Sequence, residues 1–167
     1  EYDWPDIPEQ RASGLCYTSG TTGDPKGVLY SHRSTVLHAL ILSMPNAIGL
    51  THDSCIMPLV PLYHISAWGM PFNAVLSGAK IVWPHSFAGQ TEKIFNLIQS
   101  EHVNISMAVP TIWNSFKNYL EDHHISSVSL KRAISGGSAA PYSLIESLSQ
   151  YGVAVENAWG MTETSSM

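Results

Sequence analysis

Between Tyr17 and Val28 the chain reads Tyr17-Thr18-Ser19-Gly20-Thr21-Thr22-Gly23-Asp24-Pro25-Lys26-Gly27-Val28, a set of residue types suited to holding a polyphosphate. Thr18, Ser19, Thr21 and Thr22 offer hydroxyls to oxyanions, and Lys26 adds a point charge beside the rigid Pro25. Gly20, Gly23 and Gly27 allow close backbone approach, and successive free N–H groups in such a turn make an anion nest. The spacing is not that of the P-loop, because no Ser or Thr follows a Gly-Lys pair. Asp24 would repel a triphosphate and is expected to face solvent. The composition alone would equally serve a surface turn.

Three further segments carry candidate chemistry. Ser135-Gly136-Gly137-Ser138-Ala139-Ala140-Pro141 reads by itself as a plain strand-to-helix turn. Asn157-Ala158-Trp159-Gly160-Met161-Thr162-Glu163-Thr164 holds an indole that can stack on a base and a carboxylate that can bind a hard cation; alone, Glu163 would also read as a solvated surface residue. Pro61-Leu62-Tyr63-His64-Ile65-Ser66-Ala67-Trp68-Gly69 places His64 and Trp68 in an apolar setting, as pocket residues or as packed core. The other seven histidines lack metal-ligand spacing, and His123-His124 is expected in a polar loop.

The elements that must position these segments alternate between strand and helix. Residues 14–18 form a strand feeding the glycine loop, followed by a helix from about residue 34 that buries Leu37, Ile41 and Met44 and ends at Pro45. Residues 55–60 form a strand, 65–76 an irregular apolar stretch, and 79–83 another strand. Thr91 caps a helix that turns Ile94, Phe95 and Ile98 inward. Strand 104–109 leads to a helix opened by Pro110 and Thr111, with Ile112, Phe116, Tyr119 and Leu120 on its inner face. Strand 131–134, a helix begun by Pro141 that packs through Leu144, Ile145 and Leu148, and strand 153–156 complete the pattern. Such alternation indicates an α/β fold with a largely parallel sheet, whose ligands sit beyond the strand carboxyl ends. The segments 18–27, 135–141 and 157–163 all follow strands and are expected to meet in one crevice.

With 167 residues and a formal charge of −5, the chain is long enough for a core and poorly suited to non-specific nucleic-acid binding. The apolar window 36–50 is broken by His38, Ser43, Pro45 and Asn46 and is too short and polar to span a bilayer. Cys16 and Cys55 read as buried free thiols of a reducing compartment, here the cytoplasm. Glu1 in place of Met, and Met167 directly after Thr-Glu-Thr-Ser-Ser, lead to the expectation of a piece of a longer protein. Sheet edges left open by such a cut favour self-association.

As ordered strings, the three nucleotide-type segments together resemble the signature motifs of the adenylate-forming (AMP-binding) superfamily of acyl-CoA synthetases, luciferases and peptide-synthetase adenylation domains. Trp159 stands where the family more often has Tyr. The resemblance covers essentially the whole chain and implies that residues 1–167 are the central part of the large N-terminal AMP-binding domain, with the mobile C-terminal domain absent. It implies that Thr18, Ser19, Gly20, Thr21, Thr22, Gly23 and Lys26 hold the phosphates, and that Gly136, Gly137, Ser138 and Ala139, with Asn157, Ala158, Trp159 and Gly160, hold the adenine. Thr162 would meet the α-phosphate region, and Glu163, with Thr18, would serve Mg²⁺.

Tyr30-Ser31-His32-Arg33, with His64 near the reacting carboxylate and Trp68 at the gate of an acyl tunnel, is similar to medium- or long-chain fatty-acyl-CoA synthetases. The implied reaction is ATP-dependent ligation of a fatty acid to coenzyme A through an acyl adenylate, with release of pyrophosphate, by a full-length enzyme that is a homodimer. The alternatives are a ligase for a short thioether acid such as methylmercaptopropionate, an amino-acid adenylation domain, and a non-catalytic nucleotide-binding module. The family's ribose-binding Asp, hinge and catalytic Lys would lie beyond Met167, so the chain alone is expected to show no turnover.

Overall fold

The computed structural model describes residues 2–18 and 23–165, the side chain of Trp68 excepted. The phosphate-loop residues Ser19, Gly20, Thr21 and Thr22 lie outside the described residues.

Two sheets organise the chain. In the first, β1 (Ala12–Thr18) pairs antiparallel with β2 (Lys26–Ser31), Thr18 opposite Lys26. The strand of residues 14–18 therefore belongs to a separate two-stranded ribbon rather than to the parallel sheet. In the second, β3 (Cys55–Pro58), β4 (Lys80–Ile81), β5 (Ile105–Ala108), β6 (Arg132–Ser135) and β7 (Ala154–Asn157) are all parallel, in the spatial order β4-β3-β5-β6-β7. Strand β4 is shorter than the expected 79–83.

Strands β3 and β5 are buried along their whole length, as strands covered on both faces must be. Alternate side chains divide between two layers. Met57, Ala108 and Ala133 face a core shared with α4 (Thr91–Ser100), α5 (Pro110–Asp122) and α6 (Tyr142–Ser149), which contribute Ile94, Ile98, Trp113, Phe116, Leu120, Leu144 and Leu148. Ile56, Ile105, Met107 and Ile134 face the opposite core, closed by Leu42 of α1 (His32–Leu42) and by Met70 and Ala74 of α3 (Met70–Ser77). The buried Asn73 of α3 donates from Nδ2 to the Ala39 carbonyl at 3.0 Å and to Ser43 Oγ at 2.7 Å, joining those two helices.

Several expectations are corrected. Helix α1 starts at His32, because Ser31 and Ser34 form a reciprocal capping box. It buries Ala39 and Leu42 and leaves Leu37, Ile41 and Met44 exposed. The stretch 65–76 is helical: α2 (Ile65–Trp68) and α3 follow one another through Gly69, and α3 ends at Gly78 with φ 69°. At α4 the N-cap is Gln90 and Thr91 is the first helical residue. Helix α5 turns Trp113 inward beside Phe116 and Leu120. His123 lies at the C-terminus of α5, with its ring stacked on Tyr119 at 4.1 Å. Cys16 and Cys55 are buried free thiols, as expected. Among the described residues no helix is long and apolar enough to cross a membrane.

Candidate active site

Because the five strands are parallel, the loops that follow β3, β5, β6 and β7 emerge at one edge, and the β1–β2 ribbon stands beside them. They enclose a cavity of about 550 Å³. Val60, Pro61, His64 and Ser66 come from the segment after β3; Met107, Ala108 and Val109 from the end of β5; Ile134, Gly136 and Gly137 from the end of β6. The chain beyond β7 adds Ala158, Gly160, Met161, Thr162 and Glu163, and the ribbon adds Thr18 and Lys26. The lining thus includes hydroxyl, ammonium and carboxylate groups together with the apolar Val60, Met107, Val109 and Ile134.

Local hydrogen bonds explain why these loops keep their shape. The Asn157 carboxamide oxygen accepts from the Ala140 N–H at 2.8 Å, and the Ala158 N–H donates to the Ser135 carbonyl at 2.8 Å. These two bonds lock the turn after β6 to the chain leaving β7. Gly137 has φ 81°, the left-handed region that glycine enters without strain, and an added Cβ would stand 3.4 Å from Val109 Cγ1. His64 is the N-cap of α2: its Nδ1 accepts from the Ser66 N–H at 3.2 Å. An accepting Nδ1 leaves the proton on Nε2, so the imidazole acts as a neutral donor through that atom.

Of the residues singled out in the sequence, the structure brings Thr18, Lys26, His64, Gly136, Gly137, Ala158, Gly160, Thr162 and Glu163 to the cavity. Gly23, Ser138, Ala139, Asn157 and Trp159 are not on its wall. The Trp159 indole is 73% exposed. Asp24 faces solvent as its charge requires.

Two contributions escaped the sequence reading. Met107, Val109 and Ile134, at or next to the carboxyl ends of β5 and β6, add apolar lining; their signal was their place shortly before Pro110 and Gly136. The other is Tyr30, buried on β2, whose hydroxyl donates to the Thr162 carbonyl oxygen at 2.5 Å. Burial, reinforced by Cys16 and Glu163 nearby, pushes its pKa up to about 12.

The donors suit a magnesium–nucleotide complex rather than a metal held by protein alone. Glu163 and Thr18 offer a carboxylate and a hydroxyl to the same cavity, and among the described residues no group of three or more His, Cys, Asp or Glu side chains could hold a metal. A Mg²⁺ ion bound by one carboxylate completes its shell with phosphate oxygens and water.

A cavity at the strand carboxyl ends of a parallel α/β domain, lined by both polar and apolar groups, is where such domains bind small-molecule ligands. The chain belongs to the AMP-binding enzyme family, whose model matches residues 3–167. It is 48% identical over 165 residues to a medium-chain-fatty-acid–CoA ligase of Ectopseudomonas oleovorans, covering 98% of this chain and 30% of that protein. It is 44% identical to a 3-methylmercaptopropionyl-CoA ligase of Ruegeria lacuscaerulensis, covering 99% and 31%. The O-succinylbenzoate coenzyme A synthetase of Bacillus subtilis, solved with ATP and magnesium ion, superimposes with a TM-score of 0.83 at 28% identity, over 96% of this chain and 32% of that one. The chain spans less than a third of the length of each of these three proteins.

Proposed function

We propose that residues 1–167 are the central part of the N-terminal domain of an AMP-forming acid–thiol ligase that activates a medium- or long-chain fatty acid. The observation that carries this reading is one cavity whose lining is both polar and apolar. Thr18, Lys26, Gly136, Gly137, Thr162 and Glu163 meet the apolar Val60, Met107, Val109 and Ile134 around the same space. A nucleotide phosphate and an acyl chain need these two kinds of lining together.

In this reading Thr18 and Lys26, with the loop 19–23, hold the β- and γ-phosphates, and Gly136 to Ala139 with Asn157 to Gly160 receive the adenine. Thr162 contacts the α-phosphate region. Glu163 and Thr18 would hold Mg²⁺, which would supply positive charge against that of the phosphates. His64 presents its Nε2–H to the acid carboxylate, and Trp68 lines the acyl entrance. The acid attacks the α-phosphorus in line and expels pyrophosphate, and the coenzyme A thiol then attacks the acyl carbonyl of the adenylate and releases AMP. Positioning and charge neutralisation supply most of the rate. With the rest of the ligase length missing, the chain by itself is inactive.

The partners are thus a carboxylic acid, ATP and coenzyme A; the net charge of −5 disfavours nucleic acid. The free buried thiols favour the cytoplasm, and a homodimer is proposed for the full-length enzyme.

A second acid class stays in view, because two relatives at 44% and 45% identity are 3-methylmercaptopropionyl-CoA ligases. An amino-acid adenylation domain is disfavoured, since Leu62-Tyr63-His64-Ile65 offers no Asp for a substrate amine. Acyl-CoA formation by the complete protein that carries this chain, across acetate, methylmercaptopropionate, octanoate, palmitate and benzoate, decides the acid. The expected kcat/KM is highest for octanoate or palmitate; a maximum at the thioether acid would replace the substrate, and no product with any acid would overturn the ligase.

A further inference from the structure

We propose that Tyr30 is a positioning residue for Glu163: its hydroxyl holds the turn that presents the carboxylate to the cavity. This inference rests on the reading of Glu163 as the magnesium-binding carboxylate.

The turn Thr162–Thr164 follows a stretch that has already left the sheet, since Ala158 makes the last bond from this segment to β6. Within the turn, Thr164 closes on Met161 through both backbone and side chain. These local bonds fix its shape. The hydrogen bond from the Tyr30 hydroxyl to the Thr162 carbonyl, between residues 132 apart in sequence, ties it to the ribbon.

Tyr30 is itself held at a joint of the cavity. Its ring packs with Cys16 of β1, Val28 of β2 and Ile65 of α2. The same ribbon carries Thr18 and Lys26, and α2 is capped by His64. Movement of the Thr162 carbonyl therefore changes the distance from Glu163 to the groups that face it. The hydroxyl touches none of the reacting atoms and acts through the backbone of its neighbour.

The test is a magnesium chloride titration of ATP–pyrophosphate exchange, with octanoate as the acid, in the complete protein carrying this chain. Tyr30→Phe removes the donor and keeps the ring. It is expected to raise the half-saturating Mg²⁺ concentration about five- to tenfold, as loss of one hydrogen bond does, with the KM for octanoate unchanged. Ile65→Val loosens the same cluster without touching the hydroxyl and should leave Mg²⁺ half-saturation at the wild-type value. Equal shifts in Tyr30→Phe and Ile65→Val would reduce Tyr30 to packing and overturn the inference. An unshifted Tyr30→Phe beside a strongly shifted Glu163→Gln would overturn it while the magnesium role stands. An unshifted Glu163→Gln would overturn both.

Discussion

Asn157, the last residue of β7, accepts the Ala140 N–H with its carboxamide oxygen at 2.8 Å, so the two loops that frame one side of the cavity are fastened to each other by a side chain outside it. Asn157→Ala leaves that N–H without its acceptor and is expected to cost about 1 kcal/mol of stability. Asn157→Asp keeps an acceptor oxygen and should lose less. Urea unfolding of the two variants checks the order; equal losses would show that the acceptor is not what matters.

Arg132 and Glu156 make a two-pronged ion pair across β6 and β7, at 2.7 and 2.8 Å, and the same guanidinium donates to the Ile48 carbonyl at 2.6 Å. The Glu156 carboxylate beside it pushes the Arg132 pKa upward against the opposing effect of burial. Both side chains are partly solvated, which reduces the value of the pair. Arg132→Lys cannot reproduce the fork and is expected to lose about 1–2 kcal/mol. Denaturant melts at low and high salt measure it, with a smaller loss at high salt.

Raising pH tests the Tyr30 environment directly. Its pKa is raised from 10.0 to about 12, so the folded state holds the proton more tightly than the unfolded chain. The stability this provides is complete below about pH 10 and is lost as pH rises through 12. Burial also raises the Cys55 thiol, so alkaline loss has more than one source. The difference between wild type and Tyr30→Phe isolates the tyrosine: the variant is expected to lose less stability between those two pH values, read from melting temperatures at each.

The parallel sheet was legible because its central strands are short, buried and largely apolar runs closed by clear breakers. Ile105 to Ala108 stops at Pro110, and Arg132 to Ser135 stops at the glycine pair. The crevice was legible too, since loops that leave parallel strands in the same sense must emerge together. The phase of α1 was not, because Leu37, Ile41 and Met44 compete with Ala39 and Leu42 for the inner face and local periodicity cannot choose between them. The ribbon strand Lys26–Ser31 was hidden by its motif, which drew attention to Lys26 as a ligand and away from the inward Val28 and Tyr30. The Tyr30–Thr162 bond joins residues too far apart for any local pattern to announce.

ATP–pyrophosphate exchange by the complete protein that carries this chain, with octanoate and magnesium, tests the central claim most directly. Exchange that requires the acid and falls by two or more orders of magnitude in Glu163→Ala is the expected result, as for removal of a group that stabilises developing charge. No acid-dependent exchange in the wild type, or undiminished exchange in Glu163→Ala, would contradict it.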